Sequence, residues 1–461
     1  MGVDRGAGGH HRHVRIGAVI VAPAPDSTLP GTRDGAPSRD RADLCPGLLR
    51  PHYAADGALI RLRLPGGRIQ AEQLLELATA AAEFGDGHIH LTSRGNVQLR
   101  GIAADQAGVL AALSQRVIAA GLLPSDTHEL IRNISCSPLT GRLGGRADLS
   151  PLIADLDAQL CATAELAQLP GRFLFALDDG SGDVFPLSHD LGVLAVCPHQ
   201  VQLTYGGQLG PIVGLAQAVG LLIALAVSFV RLRGVGPQAR WHVHELADGG
   251  ARLFADLTFL APACTCAASC ASQEQSIVGT ARLIALGLLD QRDGRVTVSA
   301  AVPLARLSFE QTQATVLAAT QFGSGQLVLT PWRGLLLPDV ENAAAAEIAR
   351  NLSEVGLTMD PDSGWRSVSA CTGAPWCSKA DGQTHPIAVS LAHRASRSAA
   401  LPVHVVGCPR RCGSPAAEHV EVLTTGTHLL VTHRNGDLET VQRAENISDL
   451  SLIVDRARNS L

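Results

Sequence analysis

Two stretches of this chain, 238 positions apart, are copies of one another. Pro65 to Thr92 superimposes on Pro303 to Thr330 without a gap, and eleven of the twenty-eight positions are identical. The identities include Arg68 with Arg306, Glu72-Gln73 with Glu310-Gln311, and Phe84-Gly85-x-Gly87 with Phe322-Gly323-x-Gly325. Self-similarity at a fixed offset means that one structural unit occurs twice, so the chain is expected to fold as two related halves about a pseudo-two-fold axis. Within the first copy, Leu59 to Leu64 alternates apolar and polar as a strand does, Pro65-Gly66-Gly67 turns it, and Ala71 to Phe84 is helical in composition with no breaker. The fold class this predicts is α+β, with mixed sheets flanked by helices.

The copies then diverge. After Gly85-Asp86-Gly87 the first continues from His88 to Arg100, which reads as one further strand with Thr92, Arg94, Asn96, Gln98 and Arg100 on one face and Ile89, Leu91, Val97 and Leu99 on the other. That face is a row of hydrogen-bond donors. The second copy has Trp332-Arg333-Gly334-Leu335-Leu336 where the first has Arg94 to Gln98, so the donors survive in one half only. Further on, Arg132-Asn133-Ile134-Ser135-Cys136 falls where the second half has Val368 to Cys371, and Leu169-Pro170-Gly171-Arg172-Phe173 where it has Leu401-Pro402-Val403-His404-Val405.

The second half alone carries a cysteine quartet, Cys371-x5-Cys377 and Cys408-x3-Cys412, in loops rich in Gly, Pro and Ser. These spacings are too wide for zinc knuckles. Four thiolates able to wrap a bulky cubane suit a 4Fe-4S cluster, the alternatives being two disulfides or buried apolar cysteines. One active site between the halves, with an anion-binding wall from the first and a cluster from the second, accounts for the asymmetry.

Composition narrows the class. A chain of 461 residues with 46% apolar and 17% charged residues is globular and long enough for two or three domains. A net charge of -5 offers no general attraction for nucleic acid. Only Lys379 stands against thirty-six arginines, so an Arg in place of a Lys carries little weight here. Eleven cysteines fit a reducing cytosol better than a secreted disulfide framework, and a cytoplasmic location is expected. The basic start at Arg12 to Arg15 precedes an apolar run too short and proline-broken for a signal peptide. Ile212 to Val230 is apolar enough to be weighed as a membrane span, but its many small residues and isolation mid-chain read as a core helix.

Residues 1–43 read as a disordered tail. The expected divisions are 44–120, 121–275, 276–350 and 351–461, the first and third carrying the copied stretch and the fourth the cysteine quartet.

The cysteine pattern, Thr92-x-Arg94-x-x-x-Gln98, Arg132-Asn133 before Ser137-Pro138, and the duplication together resemble the sirohaem-dependent sulfite and nitrite reductases. Within that superfamily Cys45-Pro46-Gly47, Ala55-Asp56-Gly57 to Gly67 and Thr92 to Gly101 are similar to the precorrin-3B synthases of aerobic cobalamin biosynthesis. The reductases close two arginines and two lysines around their anion; the matching positions here are Arg94 and Arg132, then Arg172 and Leu174. An aliphatic Leu174 can neither deliver a proton nor offset charge, which favours the synthase.

The resemblance implies dioxygen-dependent hydroxylation of precorrin-3A at C20 with an acetate closing a γ-lactone. Cys371, Cys377, Cys408 and Cys412 would ligate the cluster, Arg94 and Arg132 would act in catalysis, and Arg61, Arg63, Asn96, Gln98, Arg100 and Arg172 would bind the carboxylate rim. It further implies a mononuclear non-haem iron and an external donor, a ferredoxin or an NAD(P)H-linked reductase. For the iron, His88 with His90 and His242 with His244 and Glu245 are candidates; Cys264, Cys266 and Cys270 read as an apolar loop. Two other functions compete: a reductase holding sirohaem, and a non-enzymatic cluster protein.

Overall fold

The computed structural model describes residues 43–458 apart from 104–105, 107, 255–283, 395–400, 416–417, 426–427, 436–437 and 445. The expected tail, the three cysteines from Cys264 to Cys270 and the division at 275/276 therefore lie outside the described residues, Asp43 excepted.

The first copy supplies β1 (His52–Ala54), β2 (Gly57–Leu62), β3 (Arg68–Gln70), helix α1 (Ala71–Phe84), β4 (His88–Leu91), β5 (Val97–Ile102) and α2 (Val109–Ala119). Next come β6 (Ile134–Cys136), α3 (Ser150–Ala162), β7 (Phe175–Asp178), β8 (Leu191–Cys197), β9 (Gln200–Tyr205), β10 (Gln208–Gly214) and α4 (Ala218–Leu232). The second copy repeats the series with β11 (Gly287–Asp290), β12 (Val296–Ala301), β13 (Arg306–Ser308), α5 (Phe309–Phe322), β14 (Gln326–Leu329), β15 (Gly334–Val340) and α6 (Asn342–Glu354). The chain closes with β16 (Val368–Ala370), α7 (His385–Arg394), β17 (Val403–Val406), β18 (His419–Thr424), β19 (Leu429–Asn435), β20 (Leu438–Ala444) and α8 (Ile447–Arg458).

Among the described residues these strands form four five-stranded sheets, and the duplication is visible in their order. One runs β1-β2-β5-β4-β13 and its twin β11-β12-β15-β14-β3. The third strand of each copy has been handed to the other: Arg306–Ser308 pairs antiparallel with His90–His88, and Arg68–Gln70 with Val328–Gln326. The remaining sheets, β6-β7-β8-β9-β10 and β16-β17-β18-β19-β20, each open with two parallel pairings and continue antiparallel.

The exchange places both half-domains on one core. On α1, Leu74, Leu77, Ala78 and Ala81 recur at helical spacing and are buried; they share a cluster with Val316 and Ala319 of α5 and with inward residues of both sheets. In the second domain Leu222, Leu225 and Phe229 of α4 pack with Phe173 and Phe175. Residues 215–232 are long and apolar enough to cross a membrane, yet this face of the helix lines a core. The expected helix began at Ile212, whereas Ile212 and Val213 belong to β10.

Three expectations need correction. His88 to Arg100 is a hairpin rather than one strand: Thr92 N–H donates to Asn96 O at 2.9 Å and Gly95 turns at φ 69°. A Cβ at Gly95 would stand 2.8 Å from Leu329 O, so the turn also needs glycine for its approach to the second half. Strand for strand, Ile134–Cys136 matches Val368–Ala370, so Ser137, and not Cys136, lies level with Cys371. Arg172 lies in the loop before β7, whereas His404 is inside β17, so the two Leu-Pro segments are not equivalent in space.

Candidate functional site

The basic wall is assembled from three places. Arg61 stands on β2 opposite Gln98 of β5, which accepts from its Nε at 3.0 Å and its Nη2 at 2.5 Å. Arg94 projects from the hairpin turn, and Arg172 from the loop before β7. Burial draws the Arg61 and Arg94 guanidinium groups below their ordinary range, and Arg172 adds to the effect on both, so the three cations share one field. Arg94's guanidinium has no hydrogen-bond partner among the described residues. It is a free fork.

Cys45 and Asp43 sit within this group. Asp43 accepts from Cys45 N–H at 3.0 Å and from Gly171 N–H at 2.7 Å, tying the entry segment to the Arg172 loop, and its carboxylate is 3.6 Å from Arg172. Although burial opposes it, these hydrogen bonds and Arg172 hold the Asp43 carboxyl below its ordinary range. Arg172, 49% exposed, lies over the Trp241 ring at 5.0 Å. Leu174 is buried, and its N–H donates to Asp190 Oδ2 at 2.9 Å.

The other expected rim residues are engaged elsewhere. Arg63 is buried, its Nη1 donating to the carbonyls of Pro46 and Arg61, while its Nε and Nη2 are buried without partners. Burial lowers its pKa to about 10. Asn96 is buried too, accepting from Leu64 N–H and donating to Asn133 Oδ1, so it locks the hairpin to the Arg132-Asn133 segment. Arg132 is closed by Asp157 through two bonds of 2.6 Å. Arg100 is held by Asp56 at 2.7 and 3.1 Å and reaches Thr372 Oγ1 at 2.6 Å and Trp376 O at 3.3 Å. It fastens the first half to the first cysteine loop instead of facing the Arg94 group. Arg61, Gln98, Arg94 and Arg172 are thus brought together; Arg63, Asn96, Arg100 and Arg132 serve the walls.

The quartet sits at the carboxyl ends of two adjacent parallel strands. Cys371 directly follows β16 and Cys408 follows β17 by one residue, so the parallel register of Ala370 with Val405 sets their loops side by side. All four are free thiols, which removes the disulfide alternative. Gly407 N–H donates to Cys371 Sγ at 3.3 Å. Burial raises the Cys371 and Cys412 thiols, and Cys408 raises both further, as Cys412 does for Cys371 and Cys377 for Cys412, so the four share one field. Four free thiols on two loops, with a backbone N–H already aimed at sulfur, fit a thiolate-bound cluster.

Neither histidine pair forms an iron site as drawn. Among the described residues no three His, Cys, Asp or Glu side chains converge on one metal-ion position, the cysteine quartet included, whose four thiolates would instead be spread over the corners of a cubane. His90 Nε2 donates to Asp86 at 2.8 Å, and the Arg306 guanidinium lies 3.0 Å from His88 Nδ1, placing a cation where a metal would bind. His242 precedes the 3-10 turn Val243–Glu245 and His244 lies inside it, neither on a strand, and Glu245 turns back to accept from Trp241 N–H at 2.7 Å.

Residues 53–117 and 289–355 both match the family described as the nitrite/sulfite reductase ferredoxin-like half domain. The chain is 26% identical over 440 residues to a precorrin-3B synthase from Sinorhizobium sp, covering 91% of this chain and 89% of that protein. It is 24% identical over 399 residues to a ferredoxin–nitrite reductase from Synechococcus elongatus, with coverage of 79% and 76%. The structure of the Mycobacterium tuberculosis NirA protein superimposes with a TM-score of 0.64 at 18% identity, covering 87% of this chain and 80% of that one.

Proposed function

We propose, from this chain's similarity to the nitrite/sulfite reductases and to a precorrin-3B synthase, that it belongs to their superfamily and is a cytoplasmic precorrin-3B synthase that hydroxylates precorrin-3A at C20 with dioxygen and closes the γ-lactone. The observation that carries the reading is the composition of the pocket. Arg61, Arg94 and Arg172 gather around Cys45, and Leu174, which the resemblance sets at the reductases' second lysine, is buried. Guanidinium forks suit the several carboxylates of a tetrapyrrole rim, and Trp241 offers an apolar face beside Arg172. The near end-to-end match with the synthase supports the same reading.

In this reading Arg94, whose guanidinium has no partner among the described residues, takes a carboxylate directly, while Arg61 is aimed by Gln98 and Arg172 by Asp43 and Trp241. Arg100 and Arg132 position the walls through Asp56 and Asp157. Cys371, Cys377, Cys408 and Cys412 would hold a 4Fe-4S cluster, which supplies single electrons received from a ferredoxin or NAD(P)H-linked reductase. Nucleic acid and membrane are not partners in this reading.

The test is anaerobic purification followed by incubation with precorrin-3A, a reductant and isotopically labelled dioxygen. Label in the tetrapyrrole is expected. Bound sirohaem with turnover of nitrite or sulfite would establish the reductase instead. Arg94→Ala is expected to weaken tetrapyrrole binding by about tenfold, the loss of one charged hydrogen-bonding group, with the visible spectrum of the cluster unchanged.

A further inference from the structure

Leu174 is aliphatic and buried, so it can give no proton. The same residue leads to a different donor. Leu174 N–H donates to Asp190 Oδ2 at 2.9 Å, and Val243 N–H donates to Asp190 Oδ1 at 2.9 Å. That carboxylate is 1% exposed and already satisfied by two backbone donors, and His242 Nδ1 donates to it as well, at 3.2 Å. The imidazole is therefore not needed to rescue a buried charge; the charge fixes the imidazole. A proton on Nδ1 leaves Nε2 with its lone pair outward in the neutral ring, and Nε2 has no partner among the described residues.

The backbone is held equally firmly. Glu245 accepts from Trp241 N–H at 2.7 Å and His242 N–H at 3.4 Å, so residues 241–245 close on themselves. Trp241, the neighbouring residue, carries Arg172 on its ring, and Asp190 lies in the field of Arg94. The His242 side chain is 27% exposed, so solvent reaches it.

We propose that His242 is the proton-transfer residue of this pocket and that Asp190 is its positioning residue. The inference rests on the reading that the pocket binds a tetrapyrrole for oxygenation. Insertion of one oxygen atom of dioxygen and release of the other as water consumes two electrons from the external reductant and two protons. The Nε2–H of the imidazolium gives one proton to the oxygen that leaves as water, the second proton comes from solvent, and Nε2 is reprotonated by the solvent that reaches the side chain. The charged and titratable groups facing the imidazole are Asp190, His244 stacked at 5.3 Å, Glu245, and Arg172 across Trp241, with Arg94 beyond Asp190.

The experiment compares the cluster-loaded wild type with His242→Gln and His242→Gly, reading tetrapyrrole affinity and turnover separately across pH. Affinity within about twofold of wild type with turnover down by about 100-fold is expected, as is loss in His242→Gln of a pH limb present in wild type. Partial recovery of His242→Gly by added imidazole is also expected. Turnover retained within about threefold, or affinity and turnover lost together, would overturn the proposal. Should wild type turn over nitrite or sulfite and not precorrin-3A, the substrate reading fails, and the same loss in His242→Gln on that anion still supports the proton role. Should wild type turn over neither, imidazole nitrogen resonances decide: those of His242 must shift when the tetrapyrrole is added, and an unmoved signal rejects the role.

Discussion

Asp183 is a carboxyl held far above its ordinary range, at about 7, chiefly by burial and then by the neighbouring Asp178 charge, despite a hydrogen bond of 2.6 Å from Ser137. The unfolded chain would release that proton near 3.8, so between about pH 4 and 7 the native state binds a proton that the unfolded state does not. Stability from this group is therefore lost as pH rises through that window. Asp183→Asn is expected to flatten the dependence and raise stability at pH 8 by on the order of 2 kcal/mol, read from denaturant midpoints at pH 5 and 8. At this scale the sequence was a partial guide. Arginines were legible as candidates, but which remain free depends on carboxylates elsewhere in the chain: Asp56 takes Arg100 and Asp157 takes Arg132, while Arg94 has no such partner among the described residues. Asp190 and His242 are 52 residues apart and meet only through folding.

The hairpin from β4 to β5 shows why a turn can hide in an alternating sequence. Its register sets His90 opposite Gln98 and Leu91 opposite Val97. Facing residues in an antiparallel pair share a side of the sheet, and here both members of each pair have the same parity, so the period of two runs through the turn in phase. The cue was Gly95-Asn96, a turn dipeptide in reverse order. By contrast α1 was legible to the residue, because its apolar spacing and its breakers at both ends are local. The second copy repeats these turns without glycine: Leu304, Ala305 and Arg333 hold φ of 55°, 57° and 63° where the first copy has Gly66, Gly67 and Gly95. A left-handed residue bearing a Cβ costs about 1 kcal/mol. Ala305→Gly is accordingly expected to raise the denaturation midpoint, by about that free energy.

Across the whole molecule the duplication was legible and the exchange of β3 and β13 was not, since a three-residue strand carries no mark of which sheet it joins. Its energetic meaning is that neither half completes its own sheet: β4 lacks its outer neighbour without Arg306–Ser308, and β14 lacks its own without Arg68–Gln70. A chain cut between 254 and 284 is expected to give two fragments that are each incompletely folded alone and that recover native far-ultraviolet dichroism and a single elution peak when combined. Independent folding of either fragment would show that the exchanged strands are dispensable.

Reciprocal exchange of one strand is the contact a symmetric dimer of a single half would make, each subunit giving what it receives. In such a dimer every substitution occurs twice, and a change that builds a ligand pocket on one side builds it on the other. Joining the copies in one polypeptide ends that bookkeeping. Arg94 faces one way on a turn whose twin carries Trp332, and Cys371 stands level with Ser137, because each half inherited its partner's strand but no longer its partner's sequence.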